Sequence, residues 1–226
     1  TIPYAPMIFQ KSIEWLSSDV PAEALAAVAG LIGDFSAALM DGFREYAPKY
    51  IPLIVQLIYN PAIQTTVKPI FVETLGDFII SLQQYAEPYA PEILDLLGKI
   101  QTITVTCGSD LEIEYVAQVR RSVLVVYTSI FQFLKNDPVV AAIPQALSFL
   151  YLIAQDQTFI ATNAAVLMGH LIYDLLKFPR AKECQPLLME ISSGNVSKLA
   201  MLLSHNPDVQ KEGTVQQVVQ ILQNWK

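Results

Sequence analysis

The chain has 226 residues, 53% of them apolar and 15% charged, with 21 acids against 14 bases for a net charge of −7. That composition excludes intrinsic disorder, because ample apolar surface is available to offset the entropy of ordering. It also disfavours nucleic acid as a partner, since phosphate neutralisation needs a cationic footprint.

The acidity is regional: residues 1–105 hold 11 acids and 5 bases, whereas 106–226 hold 10 and 9. A basic partner is therefore permitted. Two cysteines, Cys107 and Cys184, cannot build a disulfide framework and point to a reducing compartment. The longest clean apolar stretch, residues 24–33, is half of the roughly 20 residues a bilayer crossing takes, so no membrane insertion is expected. No basic, cleavable leader opens the sequence, which starts at Thr1 and reads as part of something longer.

Taken in order, the elements are helical. Tyr4-Ala5-Pro6 opens a first helix on which Trp15 reads as core. After Asp19-Val20-Pro21, a second carries Leu25, Val28, Ile32, Phe35 and Leu39 at steps of three and four. Asp41-Gly42 breaks it, and Tyr50-Ile51-Pro52 marks the next. Asn60-Pro61 reads as an N-cap with a first-turn proline. Pro69 predicts that the helix bearing Phe71, Leu75, Phe78 and Leu82 either kinks or begins late. Tyr89-Ala90-Pro91 opens another. Residues 103–106 read locally as a strand, with no second strand to pair. Beyond the gap at Cys107-Gly108-Ser109-Asp110, the stripe Val116, Val119, Val123, Val126, Ile130 and Leu134 predicts a long helix, its periodicity outweighing its β-branched composition. Further breaks fall at Asn136-Asp137-Pro138, Lys177-Phe178-Pro179 and Gly194-Asn195, and Val215, Val218, Leu222 and Trp225 form the last stripe.

These helices repeat. Prolines recur at 6, 52, 91, 144 and 186, and Gly33-Asp34, Gly76-Asp77 and Gly169-His170 fall late in the helices that follow. Two helices per period of about 40–47 residues is the pattern of HEAT or armadillo-type arrays. The expected fold is all-α: a right-handed solenoid of about five HEAT repeats, an armadillo-like superhelix. It would form one domain over 1–226, with helix pairs at about 4–41, 43–84, 85–135, 139–177 and 179–226.

Catalytic chemistry is hard to assemble here. His170 and His205 flank no cysteine, the cysteines and histidines lack metal-ligand spacing, and no glycine-rich phosphate cradle is present. No enzyme activity, metal or cofactor is expected. The acids are more informative. Glu23, Ala27, Gly30, Asp34, Ala38 and Asp41 share one helix face, away from the apolar stripe. Glu73, Asp77, Ser81 and Gln84 hold the same phase in the next pair, as do Asn163, Val166, His170 and Asp174 in the fourth. Aligned along the concave side of a solenoid, Glu23, Asp34, Glu73, Asp77 and Asp174 would form an acidic ladder. It is either solvated surface or a seat for a basic segment. Trp225 either packs or stacks on a partner's arginine.

The segments LAAVAGLIGDFSAAL (25–39), VKPIFVETLGDFI (67–79), VRRSVLVVYTSIFQFLK (119–135) and AAVLMGHLIYDLL (164–176), in that order, resemble the C-terminal repeats of the importin-β (karyopherin-β) family. Thr128-Ser129 and Gly169-His170 depart from the Gly-Asp pattern, and residues 203–213 read as an insertion. The resemblance implies a nuclear import receptor that holds importin-α, through its basic importin-β-binding segment, or a basic cargo. Through the full-length receptor it implies contact with the GTPase Ran and with phenylalanine-glycine nucleoporins. The places of work would be the cytoplasm, the nucleus and the nuclear pore. Without a transport role, the same repeats suit a HEAT scaffold or regulatory subunit that organises a protein complex. An all-helical enzyme is the third reading. Finally, Ile8, Phe9, Ile13, Leu16 and Val28 cannot all face the second helix pair, so self-association through the N-terminal face is expected.

Overall fold

The computed structural model describes residues 3–156, 164–180, 201 and 203–223, and among these every regular element is helical. The chain divides into two compact units, Thr1–Leu134 and Lys135–Lys226. The first holds three helix pairs: α1 (Ala5–Leu16) with α2 (Ala22–Leu39), α3 (Ala47–Tyr59) with α4 (Lys68–Leu82), and α5 (Ala90–Ile100) with α6 (Asp110–Phe133). The second holds α7 (Asp137–Ala141), α8 (Ile143–Ile153), α9 (Ala165–Lys177) and α10 (Gly213–Gln223).

The first helix of each pair in unit one starts in the same way. Tyr4, Tyr46 and Tyr89 each precede Ala-Pro, and α1, α3 and α5 begin on that alanine. Proline suits the first turn because the N–H it lacks would have no intrahelical partner there. These tyrosines stand 42 and 43 residues apart, a more regular period than the prolines at 6, 52 and 91 indicate. Pro52 lies inside α3, so the counterpart of Pro6 and Pro91 is Pro48. Pro69 is in the first turn of α4, which begins late, after a 3₁₀ turn at Thr65–Val67. Asn60 ends α3 instead of opening a helix, and its Oδ1 accepts the Ala62 N–H at 2.9 Å. Residues 103–106 form no strand. Ser109 caps α6 by accepting the Glu112 N–H at 3.3 Å. Hydrogen bonds from Cys107 and Thr106 hold the Glu112 carboxyl down at about 2.

Aromatic side chains bind the first two pairs together. Phe9 stacks on Tyr46 at 4.0 Å between ring centres, and Phe43 meets Phe78 at 4.6 Å. The Tyr50 hydroxyl donates to the Phe9 carbonyl and lies 2.5 Å from Ser12 Oγ. Burial pushes this phenol up to about 12. The inward stripe of α1 is Ala5, Phe9, Ser12 and Leu16. Trp15 falls off that stripe and is 52% exposed, contrary to its reading as core. Phe9, Leu16 and Val28 are buried within the unit, Ile8 and Ile13 are half-buried, and Met7 joins Trp15 at the surface. Residues 22–45, α2 with the turn after it, are long and apolar enough to cross a membrane by length and composition. Here Leu25, Val28, Ala29 and Ile32 of α2 are buried inside the unit.

Two caps are strained. Met40 and Gln83, which end α2 and α4, have φ of 48° and 51° with ψ of −123° and −130°. That region favours glycine, and a side chain there costs on the order of 1–3 kcal/mol. Gln83→Gly should therefore stabilise the protein by about 1 kcal/mol, after allowing for the freer unfolded chain that glycine gives. A denaturant midpoint that falls in the variant would contradict this.

Candidate binding face on the second helices

In unit one the second helices lie side by side and run parallel. Between α2 and α4, the Thr74 hydroxyl is 3.4 Å from the Ala29 carbonyl, and Ser36 Oγ is 3.1 Å from Ser81 Oγ. Gly33 lies against Asp77. Between α4 and α6, the Ser122 hydroxyl donates to Glu73 Oε1 at 3.1 Å, and Gly76 faces Val125, Val126 and Ser129. Small residues at these crossings let the backbones approach closely and leave little room for long side chains.

The approach gathers three carboxylates. Asp34 on α2 is exposed, and Glu73 and Asp77 on α4 are half-buried. Among the described residues no cation pairs with any of them. Asp41, expected on the same stripe, instead lies in the 3₁₀ turn Met40–Glu45 that follows α2, and it does have a partner: Arg44 Nη2 at 3.0 Å. Burial first, then the charges of Glu73 and Asp34, push the Asp77 carboxyl up to about 6. An acid whose folded-state pKa lies above its unfolded value contributes stability at low pH, which is lost as the pH rises through the folded value. Between about pH 4 and 6.5, ionisation of Asp77 therefore works against folding. Asp77→Asn should stabilise the protein at pH 7 by about 1–2 kcal/mol, after discounting for solvent screening. It should leave stability near pH 4 unchanged. Urea titrations of both proteins across that range would show it, and an equal gain at both ends would refute it.

The remaining predicted positions are distributed differently. Glu23 is exposed in the first turn of α2, on the stripe of Ala27, Gly30, Asp34 and Ala38, all of them exposed. It lies about 16 Å from Asp34 along the axis at 1.5 Å per residue. Ser81, read from the sequence as part of the open stripe, is buried against Ser36. In unit two, Asp174 is half-buried on α9, and His170 and Lys135 partly offset the rise that burial imposes on its carboxyl. Its surroundings are already cationic, unlike those of Asp77. Asn163 and Trp225 lie outside the described residues. His205 is exposed, with Nδ1 2.7 Å from the Met201 carbonyl. Among the described residues no group of histidines, cysteines and acids is arranged to hold a metal. Sequence reasoning missed Gly33 and Ser122 as the cross-helix neighbours of Asp77 and Glu73.

Comparison with known proteins bears on the fold and the family. The profile for importin subunit beta-1-like proteins, TPR repeats, matches residues 13–191. Among solved structures, importin beta crystallised in a polyethylene glycol condition aligns over 97% of the chain with a TM-score of 0.75 at 15% identity. Kap95p, in a structure reporting that its binding induces the switch loops of RanGDP to adopt the GTP-bound conformation, also aligns over 97%, with a TM-score of 0.69 at 18% identity. The chain spans 27% and 25% of those two proteins. The fold is thus the all-α HEAT-repeat solenoid, and the chain belongs to the importin subunit beta-1-like family.

Proposed function

We propose that this chain is a segment of a nuclear transport receptor that holds a basic protein segment without covalent chemistry. The occupant would be the arginine- and lysine-rich part of importin-α or a basic cargo. One observation carries the reading: Asp34, Glu73 and Asp77 converge across α2 and α4 with no described cation to neutralise them. Carboxylates crowded at a cost to stability, as the raised Asp77 reflects, are placed to accept lysine or arginine from outside. Glu23 extends the acidic stripe along α2. The family membership supports the receptor role, and with it shuttling between cytoplasm and nucleus, contact with Ran, and passage of the pore on phenylalanine-glycine nucleoporins through the complete receptor.

The test is titration of a fluorescent, arginine-rich importin-α segment with the chain at low and physiological salt. Binding that weakens as salt screens the carboxylates is expected. No binding at low salt, where such attraction is strongest, would overturn the reading.

A further inference from the structure

We infer that Gly33 is a positioning residue of the acidic face: the notch left by its missing side chain seats the Asp77 carboxylate across the α2–α4 crossing, between Asp34 and Glu73. The inference rests on the proposed binding of a basic segment, which it deepens, and on a separate geometric fact. A Cβ built on Gly33 would stand 2.5 Å from Asp77 Oδ2 and 3.4 Å from Asp77 Cγ. No other group comes within the nearest three contacts, so the space that an alanine would fill is the space the carboxylate occupies. Three residues earlier on the same helix, Gly30 has nothing within 4 Å of the equivalent position. The two glycines therefore separate two effects that any helical glycine combines. Both gain helix propensity on becoming alanine, and only Gly33 moves Asp77.

The consequence is electrical. Seated in the notch, Asp77 is half-buried and faces Asp34 from α2 and Glu73 from its own helix. From α6, packed on the other side of α4, Ser122 donates to Glu73; Arg120 and Arg121 of that helix have no part in the perturbation of Asp77. Pushed out of the notch, the carboxylate regains water and draws away from its two like charges, and both changes ease its ionisation. Gly33 thus sets how strongly the face responds to mild acid. A basic segment that binds only the ionised form, on a carboxyl titrating near 6, loses about tenfold in affinity between pH 7 and pH 5. On a carboxyl titrating near 4 the same change costs less than about 1.3-fold.

Two readouts test this on the whole chain. In the first, the Asp77 carboxyl is titrated by NMR in the parent, in Gly33→Ala and in Gly30→Ala, with no ligand present. The expected result is a midpoint near 6 in the parent and in Gly30→Ala, falling to the ordinary carboxylate range in Gly33→Ala. A midpoint that stays near 6 in Gly33→Ala overturns the inference whether or not any basic segment binds. In the second, a nona-arginine peptide is titrated at pH 7 and pH 5. The affinity ratio between the two should shrink in Gly33→Ala and persist in Gly30→Ala. Equal ratios in all three proteins overturn the inference. If nona-arginine binds none of them while the carboxyl titrates as expected, the proposed function fails and the positioning role stands.

Discussion

Gly169→Ala is expected to destabilise the second unit by about 2–3 kcal/mol, the largest effect expected at any glycine among the described residues. Gly169 is buried in α9, where α10 crosses it. A Cβ there would penetrate the Val215 side chain, with Cγ2 at 2.8 Å, Cβ at 3.0 Å and Cγ1 closer still. Val215 is fully buried and has no solvent to retreat into. Overpacking of this kind costs roughly 1–3 kcal/mol, occasionally more. The gain of about 1 kcal/mol from replacing glycine in a helix does not cancel a clash with three atoms of a branched side chain. A fall of several degrees in the melting temperature should follow, read by the loss of helical circular dichroism. Val215→Ala removes the two γ carbons and should rescue part of the loss. The double mutant would then be more stable than the sum of the single effects by 1 kcal/mol or more. An unchanged melting temperature in Gly169→Ala would show that α9 and α10 are further apart than described.

The same comparison explains why some of the fold was legible in the sequence and some was not. Gly33-Asp34, Gly76-Asp77 and Gly169-His170 look like one repeated marker, and they fall in α2, α4 and α9, while α6 carries Thr128-Ser129 instead. The glycines differ in what they touch: a carboxylate at Gly33, ordinary contacts of 3.4 Å and beyond at Gly76, and a branched side chain at Gly169. Periodicity reports which face of a helix is buried, because that face repeats every three or four residues. What lies opposite a given position depends on the register between helices some 45 residues apart in the chain, and no local pattern encodes it. For that reason the acidic stripe was legible, while the burial of Ser81 and the seating of Asp77 were not. Trp15 failed for a related reason: it is apolar, yet one position short of Leu16, the residue that turns inward. The period itself was legible only in part. Tyr46-Ala47-Pro48 carries the spacing, but the nearby Tyr50-Ile51-Pro52 looks equally good until α3 is seen to start at Ala47.

Removing the charge from the acidic face should abolish most of its attraction for a basic segment while making the protein more stable. The informative variant is Asp34→Lys, Glu73→Gln and Asp77→Asn together. Lysine replaces the exposed member of the cluster, which has solvent in which to extend. Glutamine keeps an oxygen for the Ser122 hydroxyl, and asparagine keeps the shape that fits beside Gly33. The local charge moves from −3 to +1. An exposed ion pair contributes roughly 0.2–1 kcal/mol. Two half-buried carboxylates lie toward or above the upper end of that range, and the reversed position turns attraction into repulsion. About 3 kcal/mol in total corresponds to roughly 150-fold weaker binding, with a flatter dependence on salt. Over the same substitutions, stability at pH 7 should rise, because ionisation of Asp77 beside two like charges no longer opposes folding. Residues selected only for folding would not be expected to behave this way, since their removal lowers stability. Binding and stability measured on the same preparation therefore decide the matter. Affinity within threefold of the parent, with stability raised as expected, would show that the carboxylates strain the α2–α4 crossing without serving a ligand.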